Sequence, residues 1–140
     1  WTKKPTVSPP REVPTVGDCP FCEILAGRAL ATIAREWDDA IALHPLGPVT
    51  PGHLLIVPRQ HVADFGEDPD VSAATMRRAA EYAQGQEGAW NLITSRGWLA
   101  TQSVWHLHLH LVPRHENDRL ALPWHSGKHT KGRVAEGGAS

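Results

Sequence analysis

Three histidines alternate with leucines in the segment Gln102-Ser103-Val104-Trp105-His106-Leu107-His108-Leu109-His110-Leu111-Val112. The spacing predicts a strand over Val104–Val112. Successive side chains of a strand point to opposite faces. His106, His108 and His110 then share one face, and Trp105, Leu107, Leu109 and Leu111 share the other. The apolar row packs into a core, so the histidine row must face something else. A purely structural role fits it poorly, because partly buried imidazoles need hydrogen-bond partners and a surface strand has cheaper polar choices. A shared metal ion fits only in part. Alternate strand residues lie roughly 6.6 Å apart, so the outer two are about 13 Å apart. Ligand bonds near ~2.0–2.1 Å then let one ion use one or two of the histidines, not all three. Nucleophilic chemistry remains. A neutral imidazole, with an ordinary pKa of ~6.5, attacks phosphorus through one nitrogen while the other keeps its proton. Neighbouring imidazoles steady the charge on the phosphoryl oxygens. The position flanked on both sides is His108.

The chain has two cysteines, both in Cys19-Pro20-Phe21-Cys22. One pair cannot staple a small fold as a secreted disulfide framework does. At a helix start the pair reads as a redox dithiol, as half of a tetrahedral zinc site completed by histidines, or as two small buried residues. A redox dithiol normally follows a core strand, whereas a proline-rich stretch precedes this one.

The elements that must position these groups fit in one domain of 140 residues. Residues 1–17 carry Pro5, Pro9, Pro10 and Pro14 and read as an extended tail. Residues 18–124 form the domain, and 125–140, rich in Gly, Lys and His, read as a second tail. Lys and Arg total 14 against 15 Asp and Glu, so no broad basic field holds a polynucleotide. No stretch has the apolar length of a membrane helix and no leader pattern is seen, which gives a cytoplasmic expectation without a membrane partner.

Phe21–Ala26 reads as a short helix stopped by Gly27. Thr32–Trp37 and Ala40–Leu43 read as strands around Asp38-Asp39, and Leu54–Val57 as a strand ended by Pro58. Asp68-Pro69 opens a longer helix whose apolar positions are Ala73, Met76, Ala80 and Ala83, ending at Gly85 to Gly88. Trp90–Thr94 is a further strand. Short links between strands, with one helix inserted, give an α+β domain on an antiparallel sheet.

His-φ-His-φ-His-φ-φ after Gln102-Ser103-Val104 resembles the motif of the histidine triad (HIT) superfamily. The resemblance extends to Asp18–Gly27, to Pro51-Gly-His-Leu-Leu-Ile-Val-Pro-Arg-Gln-His61 and to Asn91, and covers roughly residues 18–114. It implies a HIT fold, an antiparallel sheet with helices, paired as a homodimer. It also implies a hydrolase or transferase acting on dinucleoside polyphosphates, nucleoside phosphoramidates or related nucleotidyl compounds. The reaction runs through a nucleotidyl-histidine intermediate without a catalytic metal. By the motif, His108 is the nucleophile. His110 and His53 belong to the phosphate site, Ser103 and Gln102 contact phosphate or leaving group, and Asn91 stands beside the α-phosphate. Relatives that share the cysteine pair hold a structural zinc ion, which assigns Cys19, Cys22, His61 and His106 as ligands. Four protein ligands leave no open position for catalysis.

The sequence departs from the family pattern in places. Eight positions before His53, where relatives carry an acid or amide for the ribose hydroxyls, stands Pro45; its neighbour His44 is the substitute substrate-binding residue. Thr101 stands where relatives have Gly, and the loop Ser95–Ala100 carries Trp98. Pro45 also motivates the competing reading of a non-catalytic nucleotide-binding or sensing protein. A zinc-dependent hydrolase and a thiol oxidoreductase are two further readings.

Overall fold

The computed structural model describes residues 18–128. The expected tail at 1–17, and residues 129–140 of the second one, lie outside the described residues. Helix α1 (Pro20–Leu25) is capped by Cys19, whose Sγ accepts the Cys22 N–H at 3.3 Å. Pro20 sits in the first turn, where its missing N–H costs nothing. Then follow β1 (Ile33–Glu36), β2 (Ala40–Leu43), β3 (Leu54–Pro58), α2 (Pro69–Gln84), β4 (Ala89–Ile93) and β5 (Leu109–Arg114). The strands form one antiparallel sheet in the order β1-β2-β3-β5-β4. The domain is α+β as expected.

Strands β2 and β3 are buried at every residue, which is why both are apolar runs without alternation. Ala42, Leu54, Ile56, Leu107, Leu109 and Leu111 face Ala79 of α2 on one side of the sheet. Ile41, Leu43, Leu55 and Val57 pack with Cys19, Phe21 and Cys22 on the other. Each side chain therefore belongs to a definite layer, and α1 covers the layer that holds the histidines.

Helix α2 starts as expected. The Asp68 carboxylate accepts the N–H groups of Asp70 and Val71 at 3.0 and 3.3 Å, and Gly85 closes the other end. Its buried face, however, is Val71-Thr75-Ala79-Tyr82, while Ala73, Met76 and Ala80 are exposed. Thr75 can be buried because its hydroxyl donates to the Val71 carbonyl at 2.7 Å.

The histidine strand is shorter than Val104–Val112. Regular pairing begins at Leu109, opposite Ile56 of β3, and His110 stands opposite Ile93. Upstream, the Leu107 N–H donates to the Val62 carbonyl at 2.8 Å, outside the sheet. That bond turns the chain away from a ladder. The leucines from 107 to 111 keep their common layer, but Trp105 is not part of that core.

Candidate active site

His53 is delivered by a turn that requires glycine. Gly52 has φ 90°, and a Cβ there would lie 3.1 Å from the Pro113 ring. Thr50 anchors the same turn by donating to the Pro113 carbonyl at 2.9 Å. The turn places His53 beneath β5, 4% exposed.

Hydrogen-bond partners then assign the protons. The Val49 N–H donates to His53 Nδ1 at 3.1 Å, so neutral His53 carries its hydrogen on Nε2. That nitrogen lies 3.0 Å from His110 Nδ1 and donates to it. His110 therefore keeps its own hydrogen on Nε2. His108 is set the other way. Its Nδ1 lies 2.7 Å from the His106 carbonyl, which can only accept, so Nδ1 bears the hydrogen and Nε2 keeps its lone pair. The two rings stand 5.1 Å apart, one offering a lone pair and the other an N–H.

Burial keeps these rings neutral. It lowers the pKa of His108 and of His53 below the ordinary value. His110 is pushed down to about 3, by burial first and then by the neighbouring charges of His108 and His53. Neutral His108 is nucleophilic at physiological pH, and an N–H on His110 can meet an anionic oxygen.

Two further residues set the pose of His108. The Thr94 hydroxyl donates to the His108 carbonyl at 2.8 Å. The Phe21 ring packs edge-on to His108 and His106, with centroids 5.1 and 5.8 Å away. Neither stood out in the sequence. Thr94 was visible only as the end of a strand, and Phe21 only as a spacer between cysteines.

The other expected residues are placed variously. Ser103 is exposed in the loop before the histidines. Gln102 is buried, with its carbonyl accepting the Gly97 N–H at 2.8 Å and its amide nitrogen donating to Ala63 and Val104 carbonyls at 2.6 and 3.0 Å. Its amide is committed to shaping the loop. Asn91 accepts from Arg114 at 2.8 Å, and Arg114 also holds Asp118 and the Leu120 carbonyl. His44 is exposed on the rim of a cavity it shares with Pro45 and Phe21. Thr101 adopts φ 70°, the left-handed conformation that glycine takes without cost.

Cys19, Cys22, His61 and His106 converge on the other side of Phe21, with ligand atoms within 4.8 Å of one another. Cys19 Sγ and Cys22 Sγ lie 3.4 and 3.6 Å from His106 Nδ1. His61 Nδ1 lies 3.2 Å from Cys22 Sγ and 3.2 Å from His106 Nδ1. A zinc tetrahedron with bonds of ~2.0–2.1 Å to nitrogen and ~2.3 Å to sulfur has edges of roughly 3.3 to 3.8 Å. The donor set fits zinc, and these four spacings, 3.2 to 3.6 Å, lie near those edges. His106 Nε2 donates to the Pro58 carbonyl at 2.8 Å, which turns the bare Nδ1 toward the cysteines. A reactive dithiol is a poorer match, since burial, then the Cys19 side chain, raises the Cys22 thiol to about 11.

The sequence profile of the HIT domain matches residues 28–117, and the chain belongs to the HIT family. It is similar to the adenylylsulfatase HINT3 of Arabidopsis thaliana, 32% identical over 74% of this chain and 55% of that protein. It is similar to the adenosine 5'-monophosphoramidase hnt1 of Schizosaccharomyces pombe, 30% identical over 77% of this chain and 84% of the relative. Among solved structures, a HIT family hydrolase from Clostridium thermocellum matches with TM-score 0.67 and 31% identity, covering 73% of this chain and 95% of that one. A zinc-bound histidine triad family protein from Mycobacterium smegmatis matches with TM-score 0.66 and 31% identity, covering 76% and 82%. Among the described residues no helix is long and apolar enough to cross a membrane.

The buried neutral histidines make stability depend on pH. Folded pKa values below the unfolded value mean that the unfolded chain binds protons first on acidification. The contribution of His110 is complete above its unfolded pKa of ~6.5 and is lost as pH falls toward about 3. Urea denaturation between those limits should show a shallower decline for His110→Gln than for wild type, by up to about 1.4 kcal/mol per pH unit. Parallel declines would contradict the assignment of a buried neutral His110.

Proposed function

We propose that this chain is a nucleotide hydrolase or transferase that cleaves at the α-phosphate through a nucleotidyl intermediate on His108. The reading is carried by two contacts, His108 Nδ1 to the His106 carbonyl at 2.7 Å and His53 Nε2 to His110 Nδ1 at 3.0 Å, from which the opposed protonation of His108 and His110 follows. Nε2 of His108 attacks the α-phosphorus, the P–N bond forms, and the bond to the leaving group breaks. Water then cleaves the P–N bond and releases the nucleoside monophosphate. His110, backed by His53, holds a phosphoryl oxygen, and exposed Ser103 meets the phosphate or the leaving group. Gln102 and Asn91 act on substrate through the loop and strand they brace. The activities named for the Arabidopsis and fission-yeast relatives support an adenylyl compound as substrate. Wild type should release AMP from adenosine 5'-phosphoramidate or adenylylsulfate, and His108→Ala should lose at least about a thousandfold with its circular dichroism unchanged. Retained turnover in His108→Ala would rule the mechanism out.

A structural zinc ion completes the proposal. Cys19, Cys22, His61 and His106 would hold it, fixing α1 against the end of β3 and the histidine segment. Elemental analysis should find stoichiometric zinc, lost in Cys22→Ser. Chelation should lower the melting temperature by at least about 5 °C, the size of shift that ~1 kcal/mol brings in a small domain. An unchanged melting curve after zinc removal would refute a structural role.

We propose a homodimer formed through β4. The β1 edge of the sheet is protected by Arg35 and Glu36, whereas β4 carries no charge and exposes Leu92 and Ile93. Met76 of α2 is exposed as well. Light scattering should give twice the chain mass for wild type and the monomer mass for Leu92→Lys. A monomeric wild type would exclude the dimer.

A further inference from the structure

A cavity of about 650 Å³ lies between α1 and the loops flanking β1 and β2. Phe21 forms part of its wall and also packs edge-on to His108, with centroids 5.1 Å apart, so a single ring links the cavity to the proposed nucleophile. On the reading that the histidines act on a nucleotide, this cavity takes the nucleoside. Its size is that of a small-molecule site.

Its lining is unusual for a group rich in hydroxyls. Among the described residues twelve line it, of which only Thr32 and His44 carry a polar side chain, and neither a carboxylate nor an amide is among these twelve. Pro45 brings no N–H and no polar side chain. The backbone N–H of His44 is already spent on the Thr32 carbonyl at 3.0 Å. Both Thr32 and His44 are exposed.

A site rejects a ligand that lacks a hydroxyl only when the loss strands a buried polar partner. Here the polar groups on the rim are open to solvent, and water replaces whatever a hydroxyl would have given. We infer that the nucleoside pocket does not read the ribose hydroxyls, so the chain accepts ribonucleotidyl and 2'-deoxyribonucleotidyl compounds alike. This inference rests on the nucleotide reading of the site above. Selectivity is left to shape, to stacking on apolar walls and to the phosphate.

The test compares kcat/KM of the full zinc-loaded chain for adenosine 5'-phosphoramidate and for its 2'-deoxy analogue. The expected ratio lies within tenfold, and any larger preference for the ribo form overturns the inference. If wild type turns over neither probe, the proposed reaction fails on its own. The pocket is then judged from calorimetric binding of AMP and dAMP. Affinities within tenfold uphold the inference, while a larger gap, or no binding of either, overturns it. Pro45→Asp supplies the missing acceptor and should raise the preference for the ribo probe more than tenfold. An unchanged ratio in that variant would overturn the role given to position 45.

Discussion

His106 is the residue on which the rest of the site depends, because its two ends do different work. Its ring is fully buried, donates from Nε2 to the end of β3 and turns Nδ1 toward two cysteines and a second histidine. Its backbone carbonyl accepts the Nδ1 hydrogen of His108 two residues on. Whatever anchors the ring also anchors that carbonyl. The carbonyl in turn decides which nitrogen of His108 is free to react.

This linkage joins the compact cluster of sulfur and nitrogen to the neighbouring histidine pair. Helix α1 has only six residues, too short to hold a geometry by itself. Tied to His106 and His61 through its cysteines, it holds Phe21 against His108. The second constraint comes from β3, whose glycine turn presents His53 to His110. Two independent anchors thus set neighbouring imidazoles in opposite tautomers. Burial keeps both neutral, which is the state in which such a pair is complementary.

Much of the fold could be read from local signals. Asp68-Pro69 and Gly85 delimit α2, and the apolar runs of β2 and β3 are those of strands covered on both sides. What escaped the sequence was decided by partners distant along the chain. The leucine and histidine alternation continues through Leu107, but the N–H of that residue is taken by Val62 and the strand starts two residues later. The face of α2 is the exception with a local cause: Thr75 satisfies its own hydroxyl on Val71 within the helix and so buries like an apolar residue. The site divides in the same way. Histidine spacing pointed to His108, and the family resemblance named the cysteine cluster. That Gln102 spends its amide on the loop, and Asn91 its carbonyl on Arg114, depends on contacts no local pattern encodes.

The fold assigns opposite tautomers to two neighbouring histidines before any substrate arrives. Long-range proton–nitrogen NMR of the imidazole rings in the full chain at neutral pH measures this directly. His108 is expected to be protonated at Nδ1 with a bare Nε2, and His110 to be protonated at Nε2. His108 protonated at Nε2, or a doubly protonated His110, would contradict it.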